Sequence, residues 1–251
     1  MTRIGFRHIL RAEFTKTLTL RSIRATLAAA LIVPAALALA SGLAFDPARG
    51  TQFPLESHGF ETAGFGQPLV ILLAALITGT EYLDGQLRTT LIATPKRGRV
   101  LSAKLLIVAG LSAVIGWVGI GASVLIKHAV LGEHGLALDQ FTPAMGWNLL
   151  SVGINYALIA LIAAGITIIA RTLIVTLVVL VPLVLGITIS LIGVIPILKY
   201  LPDLAGIQLL MRYPGVGVLE PLPGGIVMTL WAIALGGIAW AFFRTRDTPT
   251  S

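Results

Sequence analysis

With 251 residues, 56% hydrophobic and 12% charged, and a mean hydropathy of +0.94, the chain has about half the charged share of an ordinary globular domain, which excludes a soluble fold that must cover its surface with charge. The net charge of +7 does not indicate nucleic acid, because no basic face carries interleaved aromatic residues for stacking. The absence of cysteine excludes disulfides, thiolate chemistry and Cys-ligated metals.

Residues 1–24 read as an N-terminal amphipathic helix. Phe6, Leu10, Phe14 and Leu18 are spaced four apart and form one stripe, while Arg3, Arg7 and Arg11 repeat on a neighbouring face. A basic helix of this kind lies in the membrane interface with its apolar side among acyl chains. A cleaved signal peptide is disfavoured, since the basic part is too long and lacks a small-residue cleavage pattern.

Residues 25–243 read as a six-helix transmembrane domain, with spans at about 25–45, 67–82, 105–126, 147–170, 173–198 and 221–243. Most have the ~20 residues needed to cross hydrocarbon, and continuous runs of this length are helices rather than barrel strands. The second is the shortest, its apolar run 67–80 being extended to Tyr82. None of the apolar runs holds Asp, Glu, Lys or Arg. Residues 244–251 form a short tail. Pro34, Pro182 and Pro196 are expected to bend spans one and five. Ser112 with Gly116, and Gly153 with Ala157, are small-residue pairs suited to close helix approach.

Orientation follows from the positive residues. With the N-terminus inside, the inner segments hold Arg3, Arg7, Arg11, Lys16, Arg21, Arg24, Arg88, Lys96, Arg97, Arg99, Lys104, Arg171, Arg244 and Arg246. The outer segments hold only Arg49, Lys127, Lys199 and Arg212, a strong positive-inside asymmetry. Six spans then place both termini in the cytoplasm and the protein in the plasma membrane. Two outer segments, 46–66 and 127–146, read as loops. In the third, residues 202–210 form a short apolar helix with Asp203 placed to cap it. That helix is too short to span and reads as a re-entrant hairpin before the last span.

Missing chemistry narrows the function. No ionisable residue lies inside the apolar runs to bind a coupling ion. The four histidines fall outside them, leaving no embedded metalloprotease or serine-protease site. His128, His134 and Glu133 form only a loose outer cluster, read as a solvated loop. The phosphate cradle Gly-x-x-x-x-Gly-Lys-Ser/Thr is absent. The chain is therefore expected to have no catalytic, cofactor or metal site of its own, and energy for uphill transport must come from another chain. The absence of an internal repeat disfavours an inverted-repeat carrier. On span four, Asn148 and Asn155 lie seven apart on one face beside Tyr156. These three either line a translocation path or hydrogen-bond between helices.

The polar stretch 81–104, between spans two and three, carries Arg88, Lys96, Arg97, Arg99 and Lys104 against Glu81 and Asp84. Three segments carry a family resemblance. The first is Ala12-Glu13-Phe14-Thr15-Lys16 with Leu20-Arg21-Ser22. The second runs from Thr80-Glu81-Tyr82 through Gly85-Gln86-Leu87-Arg88-Thr89-Thr90-Leu91 to Ala93-Thr94-Pro95-Lys96-Arg97-Gly98-Arg99 and Ala103-Lys104. The third is Tyr200-Leu201-Pro202 with Ala205-Gly206. Together they resemble ABC-2 type transporter permeases, the membrane subunits of ATP-driven exporters of the type common in high-GC Gram-positive bacteria.

The resemblance implies a permease that pairs with a second permease subunit, as homo- or heterodimer, and with separate ABC ATPase subunits that hold ATP and Mg. It implies that the loop is a coupling helix, with Glu81, Arg88, Thr89, Thr90, Pro95, Lys96 and Arg97 at the ATPase interface. It also places Glu13, Phe14, Lys16 and Arg21 on the N-terminal interfacial helix. The expected activity is export of a hydrophobic or amphipathic substrate such as a drug, peptide antibiotic or lipid-like molecule. The alternative is a non-transporting structural or sensory subunit, or a passive channel.

Overall fold

The computed structural model describes residues 5–47, 53–82, 97–212 and 217–245. Of the described residues 87% are helical and none is in a strand, and among them six helices are long and apolar enough to cross a membrane. Helix α1 (Phe6–Thr19) breaks at the extended residue Leu20 and is followed by α2 (Arg21–Leu43), the first span. The second span is a 3-10 turn, Phe60–Thr62, continued by α3 (Ala63–Gly79), and the third begins with α4 (Arg97–Ile115). A π turn at Gly116–Ile120 leads from α4 into α5 (Gly121–Leu131). Then come α6 (Pro143–Ala170), the fourth span, and α7 (Leu173–Pro182), which begins the fifth. After a second π turn, Leu183–Ile187, the fifth span ends in α8 (Thr188–Leu191). The connector holds a 3-10 turn at Pro196–Tyr200 and the short helices α9 (Pro202–Ala205) and α10 (Ile207–Leu210). The last span is α11 (Pro221–Thr245).

Spans two and four are the most enclosed, whereas five and six present most of their surface outward. The central core joins Val70, Ile71, Leu73 and Ala74 of α3 to Val152, Tyr156, Ile159 and Ala163 of α6. Lipid offers apolar side chains no less favourable a medium than a neighbouring helix does, so close backbone approach must do much of the association. The small-residue pairs serve this purpose. A Cβ on Gly116 would meet Gly153 Cα at 2.9 Å, and one on Gly153 would run into the Trp117 indole. At Gly66 the place of a Cβ is taken by the Tyr156 hydroxyl.

The span boundaries differ most from the expected ones at spans two, three and five, each for a physical reason. Span two starts at Phe60 rather than 67, because Gly64 and Gly66 lie within the helical run, the latter giving room for Tyr156. Span three extends over Gly98–His134 rather than 105–126, and so takes in Lys104, Lys127 and His128, all buried. The expectation that ionisable residues stay outside the spans fails there, because the two lysines are charge-paired inside the protein. Span five ends at Leu191 rather than 198; Pro196 starts a separate turn and does not bend the span. Pro182 does stand at a distortion, the π turn in which Gly186 has φ 112°. The Asp203 cap is also corrected: Leu201 is the N-cap of α9, and no side chain caps it.

Replacing Gly153 with Val should force α6 away from the π turn of span three. The expected loss is about 1–3 kcal/mol of stability, read as a lower thermal-unfolding midpoint in detergent, with Gly153→Ala intermediate.

Candidate functional site

Polar side chains organise the two ends of the bundle. At the near end, α1 lies against the start of span three. Its buried stripe is Ile9, Glu13 and Thr17, spaced four apart. Ile9 packs on Val100 and Ala103 of α4, with Phe6 and Leu10 alongside. The stripe expected to face acyl chains is therefore divided: Phe6 and Leu10 pack on protein and Phe14 is exposed. That rotation aims Glu13 at Lys104. Lys104 Nζ donates to Glu13 Oε2 at 2.8 Å and lies 3.4 Å from the Ile77 carbonyl near the end of span two. One ammonium thus joins α1 and both helices that flank the polar loop. Lys16 is half-buried on α1, and Arg21 is exposed at the start of α2.

The loop itself, with Arg88, Thr89, Thr90, Pro95 and Lys96, lies outside the described residues, as do the side chains of Glu81 and Arg97. Their backbones are placed, Glu81 in the turn closing span two and Arg97 at the first position of α4. Around this end, Leu101, Ile168 and Ala239 bring spans three, four and six together, and Gly98 faces the Trp240 ring. Thr167 and Thr176 share a hydrogen bond of 2.7 Å across the turn from span four to span five.

At the far end, the amides of span four hold the connector. Asn155, fully buried, accepts from Gln67 Nε2 of span two at 2.9 Å and donates through Nδ2 to the Gly206 carbonyl at 2.8 Å. Asn148 donates to the Leu210 carbonyl at 3.3 Å. Helix α6 and the connector run antiparallel, so residues seven apart on one meet carbonyls four apart on the other. Tyr156 points to span two instead and donates to the Ala63 carbonyl at 2.7 Å. Asn148 lines a cleft open at the far end, while Asn155 and Tyr156 lie in the closed interior.

The connector also carries a buried acid. The Asp203 carboxyl meets the Thr188 hydroxyl, just beyond the π turn of span five. Burial, the largest effect, pushes this carboxyl above its ordinary pKa, while the Thr188 hydroxyl and the Asp203 and Leu204 backbone N–H groups pull it down.

Also at the far end, Lys127 reaches Ser41 Oγ at 2.7 Å and Glu61 at 3.4 Å, joining spans one, two and three. The loose outer cluster does not assemble. His128 turns inward, accepting from the Leu136 N–H at 3.0 Å, and its ring lies 6.4 Å from that of His58. Glu133 and His134 stay exposed. Among the described residues no group of three or more His, Cys, Asp or Glu is placed to hold a metal ion.

The residues missed in the sequence are Lys104 as a buried ligand of Glu13, Gln67 and Thr188. Their signal was an odd polar residue at the margin of an apolar run or, for Thr188, within one, which becomes informative only once its partner is known.

Six apolar helices around a hydrogen-bonded interior define a multi-pass membrane protein. The family model described as "ABC-2 family transporter protein" matches residues 9–197, and the chain belongs to that family. No curated protein matches the sequence. Membership makes the chain a membrane component of a transporter and implies association with an ABC ATPase.

Two outcomes follow. Lys104→Met, which takes the cation from the buried Glu13 carboxylate, should lose about 3–5 kcal/mol, and the double variant with Glu13→Gln should lose less than the sum of the two single variants; a double-mutant cycle of thermal unfolding in detergent measures this. For Asp203, the raised folded-state pKa means that the folded protein holds a proton the unfolded chain has already released. Its contribution is present at low pH and lost as pH rises from the ordinary carboxylate range through the folded value. His58, lowered chiefly by burial, contributes in the opposite direction. The difference between wild type and Asp203→Asn isolates the acid. Unfolding midpoints followed upward from about pH 4, the ordinary carboxylate range, should show the variant gaining on wild type as pH rises.

Proposed function

We propose that the chain is the permease subunit of an ATP-driven exporter, moving a hydrophobic or amphipathic compound with ATP hydrolysed by a separate subunit. In this reading α1, the polar loop and both termini face the cytoplasm, in keeping with the positive-residue asymmetry. The ATPase docks on the loop at Glu81, Arg88, Thr89, Thr90, Pro95, Lys96 and Arg97. The observation that carries the reading is the buried Glu13–Lys104 pair. A push on the loop reaches the ends of spans two and three, and the pair makes α1 move with them. Without it, the loop's displacement would be absorbed between α1 and the bundle. Two copies of the chain, or this chain with a related one, enclose the path for the substrate.

One observation favours the alternative of a non-transporting subunit or passive channel. The Asn155 and Tyr156 side chains are hydrogen-bonded inside a closed protomer and border no open path there. The two readings part on ATP dependence.

The test is co-expression with the cognate ATPase and measurement of stimulated ATP hydrolysis in proteoliposomes. Replacing Arg88, Thr89 and Thr90 together by alanine should cut stimulation by about tenfold, equivalent to ~1.4 kcal/mol in coupling, while the unfolding midpoint stays within a degree or so. Unchanged stimulation would remove the loop from the coupling path. Failure to retain any ATPase under conditions that preserve the complex would favour the non-transporting reading.

A further inference from the structure

The far end holds a cleft of about 320 Å³ between the start of span four and the connector, at the small end of the range for small-molecule sites. Its wall carries Glu56 from the loop before span two, Trp147, Asn148 and Ser151 from α6, and Gln208 and Arg212 from the connector. One acid and one base thus share a small cleft, yet among the described residues they form no ion pair with each other. Opposite charges held in one cleft without meeting are arranged for a ligand that carries both signs.

The surroundings add an apolar requirement. Trp147 is 68% exposed, and Leu150 and Ile154 are also exposed. Positions 147, 150 and 154 lie on one helix face, so an apolar stripe leads from the cleft along span four. Trp side chains favour the membrane–water boundary, and an indole face attracts a cation. The nearby Asn148 amide is positioned by its bond to the Leu210 carbonyl, and this ties the Arg212 side of the cleft to span four. A charged cleft at the head of an apolar stripe matches a molecule with a charged head and a hydrocarbon tail.

We propose that this cleft binds a zwitterionic amphiphile, with its anionic group at Arg212, its ammonium at Glu56 and Trp147, and its tail along Leu150 and Ile154. A phosphoethanolamine-type headgroup has this chemistry. The same chemistry can come from a resident membrane lipid or from a transported amphiphile, and only the second source rests on the export reading above.

The full-length protein, purified in a neutral maltoside detergent, would be titrated with lysophosphatidylethanolamine and with lysophosphatidylglycerol, which shares the phosphate and lacks the ammonium. Native mass spectrometry or tryptophan fluorescence gives the affinities. Lysophosphatidylethanolamine should bind about tenfold tighter, in line with a charge-assisted contact. Glu56→Gln should abolish that preference, and Arg212→Gln should weaken both probes severalfold. Equal binding of the two probes to wild type, or affinities unchanged in both variants, would overturn the proposal. With binding established, phospholipid that stays bound through exhaustive exchange identifies a resident lipid. Release that requires ATP and the ATPase identifies cargo. Release independent of ATP leaves the cleft assignment standing and counts against the export reading alone.

Discussion

A charged side chain can leave water cheaply only if its counter-charge leaves with it, and the third span of this protein depends on that rule. Lys104 and Lys127 stand 23 positions apart on that span, about 35 Å at ~1.5 Å per residue. The hydrocarbon core of a bilayer is ~30 Å thick, so the two lysines fall at its two margins. Each is buried and each has an acid: Glu13 from α1 at one end, and Glu61 from the first turn of span two at the other. Because the charges are met within the protein, the helix does not have to stop where its apolar run stops. It continues from Gly98 to His134 and gives the bundle its longest post. Helix α1 and the start of span two are positioned by what they supply to that post.

The same rule explains what could be read in advance and what could not. Continuous apolar runs announced six spans, because a bilayer demands unbroken helical hydrogen bonding over a fixed length. The start of span six at Pro221 was visible for the same reason that its missing N–H costs nothing in a first turn. Span ends were less legible where a charge is neutralised by a partner remote in sequence. Lys104 and Glu13 are 91 positions apart, so nothing local to either shows that both are buried. Asp203 illustrates the opposite error. Its place near the start of a short helix suggests a cap, yet the carboxyl is drawn to Thr188 of the preceding span. Gln67 stood at the edge of its run as a boundary marker, whereas its amide serves Asn155 at the centre of the bundle.

The candidate site was legible to a similar extent and for similar reasons. The Asn148–Asn155 spacing placed both amides on one face of span four, as the structure has them. What the face touches is a tertiary fact. The amides bond to carbonyls of an irregular connector, which needs donors because it lacks the internal hydrogen bonds of a long helix. Gly206 and Gly224 let that connector sit close. The first faces Met228 and Asn155, and the second lies against the Ala205 carbonyl. The connector is therefore fastened to spans four and six through its backbone, and its sequence carries little sign of this beyond the glycines.

These attachments limit how the bundle can move. Spans two, three and four share the main core, the Gly116–Gly153 contact, the Tyr156 bond and the Asn155–Gln67 bond. Relative sliding among them would break several buried polar contacts together, at roughly 1–3 kcal/mol for each group left unsatisfied. A displacement entering at the ends of spans two and three is then carried by those helices as one body, with α1 attached at Glu13. Span five is held differently. It is mostly exposed, and its helix is interrupted at Leu183–Ile187, where Gly186 takes a conformation that other residues rarely adopt. Its polar contacts to the rest of the protein are at its two ends, through Thr176 to Thr167 and through Thr188 to Asp203. A helix tied at both ends and broken between them can bend while its ends stay put. The Asp203–Thr188 contact is where that span meets the connector.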